Sequence, residues 1–210
     1  MSVRRARGAG RSSGPARDGD AERRGSRRKI LDAAARLLRR SGYEAATTRA
    51  IAAAVGIKSG SIYHHFDSKD AIVLQVMNEG VDVVREAVLE ALAALPADAT
   101  PRRRLEAAVE AHLLSSLEHS DYTSASIKAF SSVPDAVRRN NRDHRRAYED
   151  IWRQLFVELK EAGVIPPDLS LDALRLMILG SMNWAGEWYR PGRLTIASIA
   201  RNFAAAVLRD

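Results

Sequence analysis

From Ile30 onward the apolar residues return at every third or fourth position, and the run is punctuated by Gly42, Gly56, Pro96, Pro101, Pro134, Gly163, Pro166-Pro167 and Pro191-Gly192. That period puts apolar side chains on one face of an α-helix and does not match the strict alternation of a half-buried strand. No alternating segment and no internal repeat is found. The expected fold class is therefore all-α, with three short helices in front and a larger helical body behind.

The helix boundaries follow from local chemistry. Over about residues 26–40, Ile30, Ala34, Leu37 and Leu38 share a face opposite arginines, and Gly42 sits where a C-terminal cap belongs. Thr47 or Thr48 caps a second helix through about Ala54, with Ile51 and Val55 on one face, and Gly56 breaks it. Ser59 is placed to cap a third helix ending near Phe66. Ser68 then caps a long one carrying Met77, Val81, Val84, Val88, Leu92 and Leu95. Further helices are expected over about residues 101–119, 122–131, 134–161, 170–188 and 195–208. Residues 1–25 mix Arg, Gly, Ser and Pro without an apolar period and are expected to form a disordered basic tail.

Composition removes several classes of function. With no cysteine in 210 residues, disulfides, thiolate zinc sites and cysteine nucleophiles are excluded. No run of about 18 uncharged apolar residues is present, and the arginine-rich stretch from Arg4 to Arg28 leads into no apolar signal segment. A cytoplasmic setting is the expectation. There is no His-Glu-x-x-His pair and no glycine loop for phosphate, and the five histidines lie in five contexts. The chain does not read as an enzyme, and no metal or cofactor is expected. Charge, by contrast, is informative. Residues 1–70 hold 16 basic and 7 acidic side chains, a net of +9, whereas residues 71–210 hold 17 and 19, a net of −2. The front third alone is dressed for a polyanion.

Residues 47–66 give that charge a structure to act through. Two short helices joined by a glycine turn make a helix-turn-helix. Ile51, Val55, Ile57, Ile62 and Phe66 would pack the motif onto the first helix, leaving Ser59, Gly60, Ser61, Tyr63 and His64 on the part of the second that enters a major groove. Small residues at 59–61 allow close approach, Ser61 can donate to a base or a phosphate, Arg49 can reach guanine or the backbone, and Lys69 a phosphate. Helix N-termini at Thr48 and Ser68 add amide donors for phosphate oxygens. His64 and His65 are sequence neighbours on a helix and cannot chelate one metal from the same face. His112 and His119 read as ordinary helix residues or, as the second alternative, pocket polars, and Arg102-Arg103-Arg104 as a solvated face.

The segments from Ile30 to Ala34, Gly42-Tyr43, Thr47 to Ala52, Gly56 to Phe66 and Ser68-Lys69 together resemble the N-terminal domain of TetR-type transcriptional regulators. The likeness spans about forty residues with aligned glycines, caps and aromatics. It implies a DNA-binding domain over 26–70 and a helical effector-binding and dimerisation domain over 71–210. It also implies a homodimer on a near-palindromic operator, usually a repressor released by a small molecule. The positions matching the family's DNA contacts are Thr48, Arg49, Ser59, Gly60, Ser61, Tyr63, His64, His65 and Lys69.

The body carries a second, looser likeness. Over 170–188 the helix is apolar nearly all round, so it must be covered on every side, and with the stripe Tyr148, Trp152, Leu155, Leu159 it is expected to build a twofold interface. The run Asn183 to Gly192 resembles a C-terminal signature of TetR-type regulators of lipid and sterol degradation, whose ligands are acyl-coenzyme A thioesters, and departs from it at Glu187 and Arg193. That resemblance implies a hydrophobic effector, an acyl-coenzyme A or a fatty-acid-like molecule, with Trp152, Phe156, Met177, Trp184, Trp188, Tyr189 and Arg190 as candidate contacts; the plainer expectation for the aromatics is interface core. The rival expectation is an effector-independent DNA-binding activator or architectural protein with a solid core.

Overall fold

The computed structural model of the chain describes residues 15–208, with side chains from 21 onward; residues 1–14 of the expected tail lie outside the described residues, as do 209–210. Helix α1 (Pro15–Ala45) opens the fold and is interrupted at Gly42, whose φ of 75° lies in the left-handed region. It begins eleven residues before the expected start at Ser26, so residues 15–25 are helical. Their composition lacks an apolar period, but a helix nucleated by the buried Ile30 and Leu31 extends upstream at little cost through Ala21, Glu22, Arg23 and Arg24.

Helices α2 (Thr48–Val55), α3 (Ser59–Ile62) and α4 (Lys69–Ala93) follow. Thr47 and Ser68 cap α2 and α4 by accepting from the amides of Ala50 and Ala71, each a contribution of about 1 kcal/mol. Ser59 makes no cap: Lys58 occupies the cap position without a side-chain bond, and α3 gives way to turn after one turn of helix. The body comprises α5 (Pro101–Leu114), a π-helical turn (Ser115–His119), α6 (Asp121–Ala129), α7 (Asp135–Asn140), α8 (Arg142–Glu161), α9 (Leu171–Asn183), α10 (Ala185–Trp188) and α11 (Ile196–Val207). The helix expected over 134–161 is split at Asn141, and that over 170–188 at Trp184.

Among the described residues, two apolar cores result. One joins α4, α5, α8, α9 and α11 around Trp152, Phe156, Leu113 and Met182. The other holds Ile30, Leu38, Ile51, Ile62, Ile72 and Met77 of the first four helices together with Tyr122, Ala125, Ala129, Val133 and Val137. Helix α6 thus follows α5 in sequence yet packs into the front core. Gly80 makes this possible, because a Cβ there would stand 2.3 Å from the Tyr122 carbonyl oxygen. The Thr123 hydroxyl donates to the Gly80 carbonyl at 3.0 Å, and the Tyr122 hydroxyl to Asp32 at 2.7 Å, closing α6 onto both α4 and α1.

Candidate nucleic-acid interface and effector cavity

The helix-turn-helix is seated by burial of Ile51, Ala52, Ile62 and Phe66 against α1 and α4. Gly56, at φ 73°, turns the chain and donates its amide to the α2 carbonyls of Ala52 and Ala53. Val55 is only half-buried and Ile57 is exposed, because Ile57 falls in the turn beyond Gly56 and not on a packed face. Of the residues expected to meet DNA, Arg49, Ser59, Gly60, Tyr63 and His64 are exposed, Tyr63 to 58%. Thr48, Ser61 and Lys69 are half-buried. His65 is half-buried with its Nδ1 enclosed and without a partner, so this imidazole is turned partly into the fold.

The motif is braced from behind. The Lys69 ammonium lies 3.7 Å from the centroid of the Tyr43 ring, and the Tyr43 hydroxyl donates to Asp70 at 2.6 Å. Burial, with the Asp70 bond and charge, pushes the Tyr43 phenol up to about 12. Arg27 stacks over Phe66 at 4.4 Å. These contacts fix the start of α4 and the end of the reading segment to α1, so the exposed side chains are held in place before any duplex arrives.

Behind this head lie three adjoining hollows. A small inner chamber of about 40 Å³ is lined by Val81, Val84, His112, Thr123, Ser126 and Tyr148 among others. A basin of about 670 Å³ is walled by Arg39, the π-helical turn, Lys128, Phe130, Trp184 and Tyr189. The chamber and basin share Ile127, Arg145 and Asn183. A third recess, about 340 Å³, carries Arg138, Arg139, Arg142 and Arg146 and shares Phe130 and Arg145 with the basin. Arg145 therefore stands where all three meet, its guanidinium 3.9 Å from the Phe130 ring centroid. Burial lowers its pKa, partly offset by Glu149.

Along one flank of α9, Leu176, Met177 and, at its C-cap, Trp184 are exposed to 62, 68 and 65%, in line with exposed Ala173, Gly180 and Ser181; Gly180 and Trp184 border the basin as well. An apolar stripe of this size, with small residues between, is unusual for a surface that stays in water.

Comparison with known proteins settles the class. Residues 30–76 match the family described as bacterial regulatory proteins, tetR family, and residues 98–210 match the tetracyclin repressor-like, C-terminal domain. The chain belongs to the TetR family. It is a DNA-binding transcriptional regulator, not an enzyme. It is similar to the HTH-type transcriptional repressor KstR2 of Rhodococcus jostii (strain RHA1), 32% identical over 207 residues that cover 92% of this chain and 95% of that one. Among solved structures, AibR in complex with isovaleryl coenzyme A and operator DNA superposes with a TM-score of 0.75 at 27% identity, over 86% of this chain and 97% of that one. The superantigen PfiT superposes at 0.73 with 32% identity, over 88% and 96%. Among the described residues, no helix of this TetR-family chain is long and apolar enough to cross a membrane.

Of the seven effector contacts expected from the sequence, Trp184 and Tyr189 wall the basin. Trp152 and Phe156 are fully buried in the rear core and line none of the three hollows, because the stripe they share on α8 faces α5 and α9. Met177 points outward from α9, and Trp188 and Arg190 are exposed, the latter donating to the Tyr189 carbonyl at 2.7 Å. His112, read from the sequence as an ordinary helix residue or a pocket polar, lies at 1% exposure in the inner chamber, and the sequence reading missed Arg145 at the junction. A polar residue inside the apolar run Leu105, Ala108, Val109, Leu113 was the available signal for His112.

Proposed function

We propose that this regulator is a homodimeric repressor that leaves a near-palindromic operator when an acyl-coenzyme A thioester enters its body. The observation that carries the reading is Arg145 at the meeting point of an arginine-lined recess, a long basin and a small inner chamber. An acyl-coenzyme A has the matching order of parts: a polyanionic nucleotide end, an extended middle and a small acyl tip. Arginines suit the phosphates, and the chamber suits the tip. AibR, whose structure is similar, is bound to such a molecule and to operator DNA.

Coupling runs through α6. Its Thr123, Ser124, Ser126, Ile127 and Lys128 line the hollows, while Tyr122 and Asp121 hold Asp32 and Arg39 of α1 at 2.7 and 2.5 Å. A ligand that displaces α6 pulls on α1 and α4, which carry the helix-turn-helix. Two reading heads must be spaced by about one helical turn of DNA, roughly 34 Å, so a small rotation of each head lowers affinity for the pair of half-sites. The exposed α9 stripe supports pairing across a twofold axis, as isologous interfaces require. The hollows speak for an effector-responsive protein over an effector-independent activator, which needs none.

The test is fluorescence anisotropy of a labelled duplex from the region upstream of the gene, with the full chain, at several salt concentrations. Preference over random duplex at moderate salt, and release on adding isovaleryl-coenzyme A or a longer acyl-coenzyme A, are expected. Equal affinity for both duplexes sinks the operator reading, and indifference to every thioester sinks the effector reading.

A further inference from the structure

His112 sits in the rear core's wall of the inner chamber, 1% exposed, and its Nδ1 lies 2.6 Å from the Tyr148 hydroxyl. Its Nε2 is enclosed and has no hydrogen-bond partner. Burial holds the imidazole neutral, with its pKa down to about 4, and holds the Tyr148 phenol protonated by raising its pKa. Two neutral groups then have one shared bond and two possible tautomers. If the phenol donates to Nδ1, a single group is left unmatched, the Nε2–H. The reverse assignment leaves both the phenol proton and the Nε2 lone pair without a partner here, which is the costlier choice. Nε2 is therefore a donor.

No side chain reaches this donor, although Ser126, Asn183, Glu149 and Arg145 also line the chamber. Thr123 is committed, paired with Ser115 at 3.2 Å and donating to the Gly80 carbonyl. Val81, Val84, Ile127 and Leu179 supply apolar wall. At about 40 Å³ the space admits about three or four water-sized groups. What fits is a short carbon tip bearing an oxygen able to accept from Nε2–H.

We propose that the inner chamber reads a carbonyl: His112 Nε2–H donates to an oxo group on the effector's acyl tip, so that a short oxo-acyl thioester is preferred over the saturated thioester of equal length. This deepens the acyl-coenzyme A reading and rests on it. Binding a tip without the oxygen leaves the buried donor unmet. A site built to hydrogen-bond an atom rejects the analogue lacking it far more strongly than an apolar pocket rejects a missing methylene.

The matched probes are acetoacetyl-coenzyme A and butyryl-coenzyme A, titrated into the full chain by calorimetry. The oxo compound is expected to bind at least about tenfold more tightly, and the ratio should fall towards one in His112→Phe and in the His112→Phe, Tyr148→Phe double variant. Equal affinities in the wild-type protein, or a preference that survives in both variants, overturn the proposal. A second measurement needs neither variant nor thioester: long-range ¹H–¹⁵N spectra of the wild-type histidines, with butanone and then ethyl methyl sulfide, of similar shape but a poor acceptor. The His112 Nε2–H tautomer, with a downfield shift of that proton on adding butanone alone, is expected. An Nδ1–H tautomer, or no response to butanone, overturns the carbonyl reading. If butanone shifts the proton while neither thioester binds, the chamber stands and the effector class alone falls.

Discussion

Replacing Gly80 with alanine strikes the seam between the two cores. A Cβ at that position meets the Tyr122 carbonyl oxygen at 2.3 Å, the carbonyl carbon at 2.7 Å and the Ser126 Cβ at 2.9 Å. Non-bonded heavy atoms settle near about 3.5 Å, so α4 and α6 must part by roughly 1 Å. The obstacle is backbone, which no rotamer change can move. Intrinsic helix preference pulls the other way, alanine being favoured over glycine by about 1 kcal/mol. Overpacking of a close-packed interior costs typically about 1–3 kcal/mol, with the upper half expected where backbone must shift. The net is a destabilisation of about 1–2 kcal/mol, which lowers the Tm of a chain this long by roughly 2–8 °C. Differential scanning calorimetry on the full chain reads this directly. Because the Thr123–Gly80 bond is stretched and α6 carries α1 with it, operator affinity should fall as well. A Tm at or above that of the wild-type protein would refute the steric argument, and an unchanged operator affinity alongside a lowered Tm would refute the coupling through α6.

Other perturbations probe separate links. Tyr63→Ala removes an exposed side chain from the reading surface and should weaken operator binding about tenfold, with a Tm unchanged within a degree; undiminished affinity in a mobility-shift assay removes Tyr63 from the interface. Leu176→Glu with Met177→Glu places two charges on the exposed α9 stripe, clear of the basin wall, and should yield a monomer in sedimentation velocity, whereas a persistent dimer would move the interface elsewhere. His112 is buried with its pKa near 4, below the 6.5 of the unfolded chain, so the unfolded state takes up the proton first. The stability associated with burying it neutral is full above pH 6.5 and is lost as pH falls towards 4, about 3 kcal/mol in all. Urea melts of His112→Phe should show a flatter acid limb than wild type, and parallel limbs would refute the assignment. Tyr122→Phe deletes the bond to Asp32 and should cost about 1 kcal/mol, read as a shift in urea midpoint with no change in slope.

What the sequence made legible was local. The caps at Thr47 and Ser68, the glycine turn at Gly56 and the outward position of Tyr63 each depend on a few neighbouring residues, and each forms in the structure. Effects decided by distant partners were less readable. Ser59 has the chemistry of a cap, but α3 ends after four residues and its start is set by the turn. An apolar stripe on α8 reads the same whether it meets a cavity or a core, and only the placement of α5 and α9 sends Trp152 and Phe156 into the core. Met177 belongs to a helix apolar on most sides, where sequence cannot say which side faces outward. The hollows draw on α4, α5, α6, α8 and α9 at once, so no spacing along the chain announces His112 or Arg145 as their lining.

Five of the side chains that close the front core, Tyr122, Ala125, Ala129, Val133 and Val137, arrive from beyond residue 120. The reading head is for that reason not a detachable module. A fragment cut after α4 leaves bare the flanks of α1 and α4 that pack on α6, and a chimera that borrows only the first seventy residues of a relative inherits a lid shaped for another head. Swapping operator specificity between such proteins means moving α6 and α7 together with the first four helices, or redesigning the seam between them.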